Sequence, residues 1–227
     1  MKSIRWYSAQ LPTSIRSLAA KMKAMPFTKE SYDGFVIDRV RDKTLEARYI
    51  EKYSYQEKIV DPFGGEQAFE RTVYRQIEFT LCSEFPQIEI IDSPRSVRPL
   101  INKLAAMSGF SMAISPVSAD VLKWASLIGK NTGVKVVVDS LQLAGLELEE
   151  GVIAKALIKG DKDVRDAVRL ITKNKPYALE KIHLKMSLGN KLVPIFIAHN
   201  GTAKYPEDYD TELLPVLRKS LPVDELS

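Results

Sequence analysis

The sequence predicts an α+β protein, a predominantly antiparallel sheet or sheets backed by helices. Two observations carry this. From Val73 to Leu81 the residues alternate, with Val73, Ile77, Phe79 and Leu81 on one face and Tyr74, Gln76, Glu78 and Thr80 on the other. That period of two is what a half-buried antiparallel strand requires. In addition, strands are grouped before helices without regular βαβ alternation, which disfavours a doubly wound sheet. Both parts of the chain can be read as a sheet with helices, so two similar halves are entertained, although no residue-level repeat supports them.

Residues 1–30 are expected to form a basic N-terminal arm. Lys2, Arg5, Arg16, Lys21, Lys23 and Lys29 all precede the first acid, Glu30. A helix should start at Pro12-Thr13-Ser14 and end before Pro26, with Leu11, Ile15, Leu18, Ala19, Met22 and Met25 as its apolar face. Its alternatives are docking on the body, contact with a partner or nucleic acid, and, weakest, a membrane surface.

Residues 31–131 should hold antiparallel strands followed by two helices. Phe35-Val36-Ile37 and Tyr49-Ile50 flank a polar Arg41-Asp42-Lys43 break and read as a hairpin. Asp61-Pro62-Phe63-Gly64-Gly65 is turn chemistry, with an anion-binding loop as the rarer alternative. Tyr49, Tyr53 and Tyr55 with Arg48 and Lys52 resemble a base-stacking mix, although tyrosine also simply favours strands. Gln87 to Asp92 is expected to pair with the Val73–Leu81 strand. Helices follow over Ser96 to Met107 and Ser118 to Ile128, and Asn131-Thr132-Gly133 marks the expected boundary.

Residues 132–227 should supply strands, a basic helix, a hairpin and a C-terminal helix, unless the whole chain is one continuous domain. Val134 to Val138 and Val152 to Ile158 read as strands, while Leu141 to Glu150 is ambiguous because of Gly145. Ile182 to Ser187 and Leu192 to His199 flank Leu188-Gly189-Asn190-Lys191 as a hairpin. Pro194 demotes its second arm to an edge or bulged strand.

Several function classes lose their simplest case. There is no phosphate loop ending in Lys-Ser or Lys-Thr, no Gly-x-Gly-x-x-Gly after a strand, and no Gly-x-Ser-x-Gly elbow. No acid is followed two positions later by Lys, which removes one sheet-borne nuclease pattern. Asp139, Glu147 and Glu149 could meet near a sheet end, although a solvated edge is the plainer reading. His183 and His199 lie on opposite hairpin arms and could join an acid in a metal or acid–base site. The single cysteine, Cys82, sits in an apolar stretch and reads as a buried thiol. No cofactor or metal is implied, and an enzyme is the less favoured reading. Residues 1–10 lack a continuous apolar stretch, no apolar run reaches about 20 residues, and a cytoplasmic protein without membrane contact is expected.

The 227 residues are 45% hydrophobic and 27% charged, with net charge +4 and a pI near 9.0. The most informative charge constellation is a helix over about Lys162 to Lys173. Lys162, Arg165, Arg169 and Lys173 fall within about 80° of arc at 100° per residue, opposite Val164, Ala167, Val168 and Ile171. Lys155, Lys159, Lys175, Lys181 and Lys185 add cations from neighbouring segments. Such a stripe suits successive phosphates of DNA or RNA, but Asp161, Asp163 and Asp166 would also make it an ordinary solvated face. The expected function is a binding module or complex subunit contacting nucleic acid through Lys162, Arg165, Arg169, Lys173 and Lys175 and through Arg16, Lys21 and Lys23 of the arm. The alternatives are a protein-interaction or self-associating subunit, and a hydrolase or nuclease with an unrecognised site.

Overall fold

The structure, a computed structural model, describes residues 1–172 and 175–222, with every side chain among them except that of Arg169. In chain order the described residues form β1 (Lys2–Ala9), α1 (Ile15–Lys23), β2 (Asp33–Val40), β3 (Thr44–Val60), β4 (Glu66–Cys82) and β5 (Ile88–Ile91). They continue as α2 (Arg98–Met107), β6 (Ile114–Pro116), α3 (Val121–Thr132), β7 (Val136–Glu149), β8 (Val152–Lys159) and α4 (Arg165–Thr172). The last elements are β9 (Ala178–Leu188), β10 (Lys191–Ala198), β11 (Thr202–Tyr205), a 3₁₀ turn at Glu207–Tyr209 and α5 (Asp210–Lys219). The α+β class and the mostly antiparallel pairing agree with the sequence. No helix among the described residues is long and apolar enough to cross a membrane.

The chain divides into two compact units, Ala9–Ile114 and Met1–Ser8 with Ser115–Ser227. They are called the ribbon unit and the open-face unit below. The helix of the basic arm packs on β2 and β3, and α3 packs on β7 and β9, so each helix belongs with the sheet that buries its apolar side.

The ribbon unit has sheet order β2-β3-β4-β5, antiparallel throughout. Ser14 caps α1 by accepting from Ser17 N–H at 3.2 Å, and Ile15, Leu18, Ala19 and Met22 are buried. Phe35, Leu45, Ala47, Tyr49, Ile77, Phe79 and Leu81 form the sheet's buried face, and Cys82 is buried beside them in sequence. Gly34 has a clear role: a Cβ there would lie 2.5 Å from the Phe27 nitrogen, where the Phe27 amide donates to the Phe35 carbonyl and the Phe35 amide donates to the Met25 carbonyl. Lys103 reaches from α2 to Asp33 at 2.6 Å, and the Tyr49 hydroxyl donates to the same carboxylate at 3.1 Å.

Beyond Glu51 and Arg75 the paired β3 and β4 leave this core and run on, in register to Val60↔Glu66, as an exposed two-stranded ribbon. At its tip Asp61 accepts from the amides of Phe63 (2.8 Å) and Gly65 (2.9 Å). Those amides are thus satisfied internally, which makes this a turn and leaves them unavailable to an external anion.

The open-face unit has sheet order β1-β11-β10-β9-β7-β8, again antiparallel, with the short β6 beside β1. One face of this sheet is the core: Ile4, Trp6, Val138, Leu141, Leu143, Ile182, Leu184, Ile195, Ile197 and Tyr205 are buried. Trp124 of α3 meets Trp6 edge-on at 5.7 Å and donates its indole N–H to the Leu217 carbonyl of α5 at 3.0 Å. Asp120 caps α3 through the amides of Leu122 and Lys123, and Gly133 ends it in the left-handed region at φ 67°.

Two expectations about this unit need correction, and one ambiguity is resolved. Gly145 (φ 65°), which left Leu141 to Glu150 ambiguous, lies within a register shift of β7, whose pairing with β8 resumes at Leu146. β10 is an interior strand between β9 and β11. Pro194 is tolerated because pairing with β11 stops at Phe196↔Lys204, so no ladder bond on that side needs its missing N–H. Finally, the basic helix begins at Arg165, not Lys162, because Gly160 and Val164 first donate their amides to Asp139 and Val138 of β7.

Candidate nucleic-acid interface

Of the four residues expected in the stripe, Lys162 and Arg165 have described side chains. Val164, Val168 and Thr172 are buried at four-residue spacing, whereas Ile171 is half exposed, so the docked side is rotated away from Ile171. Lys162 is exposed but precedes the helix. Arg165 donates to Asp163 through Nε and Nη2, at 2.9 and 2.7 Å. Burial opposes ionisation of Asp163, but hydrogen bonds from Arg165 and from the Arg165 and Val138 amides hold its carboxyl below the usual range. Lys175 donates to the Leu148 carbonyl. Lys173 lies outside the described residues, as does the side chain of Arg169. In the ribbon unit Arg16 pairs with Asp42 at 2.5 Å, while Lys21 and Lys23 are exposed at the end of α1.

A different basic surface emerges from the sheet of the open-face unit. Alternation sends Ile182, Leu184 and Met186 of β9 into the core and Lys181, His183 and Lys185 outward. Strand register extends that outward face. His183 stands opposite Phe196 of β10 and Ser140 of β7, Phe196 opposite Lys204 of β11, and Lys204 opposite Ser3 of β1. On the other side Ser140 stands opposite Lys159 of β8. Arg5, Lys204, Lys181, Lys185, Lys159 and Lys155 therefore share one sheet face drawn from four strands. Lys181 Nζ lies 5.6 Å from the Phe196 ring centroid, which puts an aromatic surface among these charges.

Two carboxylates interrupt the positive face, and both are bonded to cations. Glu180 pairs with Lys155 at 2.6 Å; the Lys155 hydrogen bond, stronger than the cost of desolvation, lowers its carboxyl. Asp139 sits on β7 at a register shift between Val138 and Ser140, which turns its side chain out of the regular alternation. Its side chain is only 7% exposed, with Oδ1 2.6 Å from His183 Nδ1 and Oδ2 2.9 Å from Lys185 Nζ. Burial opposes its ionisation, and hydrogen bonds from Lys185 and His183 outweigh that, so it stays below the ordinary aspartate range. Asp139 does not meet Glu147 or Glu149, which lie eight or more residues along the same strand, roughly 26 Å away at about 3.3 Å per residue.

The two histidines are not brought together. His199 bonds the Glu180 carbonyl at 3.0 Å through Nδ1, beyond the end of β10, whereas His183 lies mid-strand. Among the described residues no group of three or more His, Cys, Asp or Glu is arranged to hold a metal ion. The tyrosines of the proposed stacking mix also separate: Tyr49 is buried, while Tyr53 and Tyr55 are exposed on the ribbon. Arg48 is held by Asp38 at 2.8 Å.

The ribbon carries a different chemistry. The face that packs Leu45, Ala47 and Tyr49 in the core continues outward as Tyr53, Tyr55 and Ile59, opposite Val73, Arg71 and Gln67, with Phe69 opposite Glu57. Six of its charges pair across the strands, Arg71 with Glu57, Arg75 with Glu51 and Lys58 with Glu66. The sheet face of the open-face unit was missed in the sequence because its cations are scattered from Arg5 to Lys204 and meet only through register. No protein-family model matches this sequence, and no curated protein matches it significantly.

Proposed function

We propose that the chain is a nucleic-acid-binding module whose open-face unit holds a single strand across its outward sheet face. The observation that supports this reading is the juxtaposition of Arg5, Lys155, Lys159, Lys181, Lys185 and Lys204 around Phe196 on one exposed sheet surface. Cations spread over several strands track a phosphate backbone, and an aromatic ring among them stacks a base. An open sheet favours single strands, whose bases are free to splay onto it, over a duplex that needs an element entering a groove. The cations that flank α4, Lys162 and Lys175, act as a peripheral field in this account.

The test is fluorescence anisotropy with labelled single-stranded RNA and DNA. Changing Lys159, Lys181 and Lys204 together to Glu should weaken binding at least tenfold while leaving the unfolding midpoint within a few degrees. Changing Lys162 and Lys175 should cost less. Equal losses from both sets, or none from the first, would move the contact off the sheet.

A second reading concerns the ribbon unit. The uncovered row of Tyr53, Tyr55, Ile59 and Phe69, flanked by charges that pair across the strands, supports a protein-binding arm. A near-neutral ribbon has little to gain from phosphates. The chain would then be a complex subunit with one unit for nucleic acid and the other for protein.

A further inference from the structure

We infer that the Asp139–His183–Lys185 cluster is an acid–base centre that cleaves the strand held on this face when that strand is RNA. The inference rests on the nucleic-acid-binding reading above and adds a reaction to it.

Three features distinguish the cluster from an ordinary surface ion pair. Asp139 sits at a break in strand register, and its side chain is 7% exposed and bonded at both carboxylate oxygens, so it is fixed in place. Lys185 occupies one carboxylate oxygen and His183 Nδ1 the other, at 2.9 and 2.6 Å. An ionised carboxylate only accepts, so Nδ1 carries the proton it donates, and Nε2 is the ring atom left to act as a base. His183 itself is 37% exposed on the outward face, flanked on the same strand by Lys181 and Lys185. A buried carboxylate that fixes the tautomer and orientation of a half-exposed imidazole is the arrangement by which an acid–base histidine is held ready.

The nucleophile follows from what surrounds the ring. Among the described residues the side-chain partner of His183 is Asp139, and the nucleophile in this scheme is a hydroxyl of the ligand itself. RNA brings one beside every phosphodiester, its 2′-hydroxyl. In the step, His183 Nε2 removes the 2′-hydroxyl proton and the 2′-oxygen forms a bond to phosphorus. The bond from phosphorus to the 5′-oxygen breaks, and that oxygen keeps the electron pair and takes a proton from water. The hydroxide so formed takes up the proton that His183 gained. The products are a 2′,3′-cyclic phosphate and a 5′-hydroxyl end. Lys181 and Lys185 stabilise the negative charge that builds on the phosphoryl oxygens. Asp139 is a positioning residue in this scheme, and His183 is the catalytic one.

The experiment uses the full chain in chelator-containing buffer, at protein concentrations that saturate a labelled single-stranded RNA, with cleavage followed in a single turnover. The matching 2′-O-methyl RNA, which lacks the nucleophile, reads binding alone. The parent protein should cleave RNA to cyclic-phosphate ends and bind the 2′-O-methyl strand without cutting it. H183N should slow cleavage at least ~100-fold, the lower end of what a positioned acid–base group supplies. Cleavage unaffected by H183N, or an uncut RNA on a protein that binds the 2′-O-methyl strand, overturns the inference and leaves the binding reading intact. Failure to bind the 2′-O-methyl strand overturns both.

Discussion

Lys181 Nζ stands 5.6 Å from the centre of the Phe196 ring, and the two side chains come from neighbouring strands whose other faces are buried in the core. The contact places charge and an aromatic plane on a rigid surface. Phe196→Ala should therefore remove stacking without removing charge. We expect a loss of about 1–3 kcal/mol in single-strand binding, with the slope of log affinity against log salt unchanged. Anisotropy titrations at several salt concentrations check both parts.

Neutralising the cations should do the opposite. Each of Lys159, Lys181 and Lys204 changed singly to Gln should lower the salt slope for a single strand by about 0.7 if that residue contacts a phosphate. Slopes that stay constant across all three variants would mean that they are ordinary solvated lysines.

The open-face unit's core depends on one indole. Trp124 is fully buried, edge-on to Trp6, and bonded to the Leu217 carbonyl. Trp124→Ala should cost about 3–5 kcal/mol, enough to consume much of a typical domain's stability. Trp124→Phe should cost less but still leave the carbonyl without its donor, about 1–3 kcal/mol. Urea unfolding followed by Trp6 fluorescence distinguishes the two.

Acid should remove the stabilisation held by the hydrogen-bonded carboxylates. For Asp210, burial opposes ionisation, but hydrogen bonds from Lys2 (2.6 Å) and the Tyr205 hydroxyl (2.7 Å) hold its carboxyl below the ordinary value of 3.8. Asp139 is shifted the same way. A depressed folded-state pKa contributes stability that is fully present above the unfolded value and is lost as pH falls through the folded one. Stability should therefore drop below about pH 4, and Asp210→Asn should flatten that drop while lowering stability at neutral pH. Thermal unfolding of both proteins between pH 2 and 7 is the check.

The ribbon should be dispensable for folding. Its residues beyond Glu51 and Arg75 bury little, so replacing 52–74 by an Asn-Gly turn should leave the unfolding midpoint within a few degrees. Partner binding through the Tyr53, Tyr55 and Phe69 row would be lost in the same variant, as co-purification from the source cells would show.

Local patterns carried much of the fold. The alternation around Ile77 and Phe79, the Ser14 cap and the Leu188–Lys191 turn each act within a few residues, and each element forms where its pattern lies. Long-range pairing was not legible. The outward β3–β4 extension alternates weakly because no core rewards it, and Gly145 hid a continuous β7. The candidate site was illegible for the same reason. Helical periodicity picks out Lys162, Arg165, Arg169 and Lys173, which share one segment, whereas Arg5, Lys159, Lys181 and Lys204 become neighbours only when the sheet forms. Asp139 and His183 were each visible as polar residues in apolar runs, but their pairing depends on a break in register that no spacing rule shows.

The most direct test of the central claim is the anisotropy of labelled single-stranded RNA with the parent protein and with the Lys159, Lys181 and Lys204 to Glu triple variant, at low salt. The account predicts saturable binding by the parent, weakened steeply by added salt, and at least tenfold weaker binding by a triple variant that remains folded. Equal binding by the two folded proteins, or no binding by the parent, would contradict it.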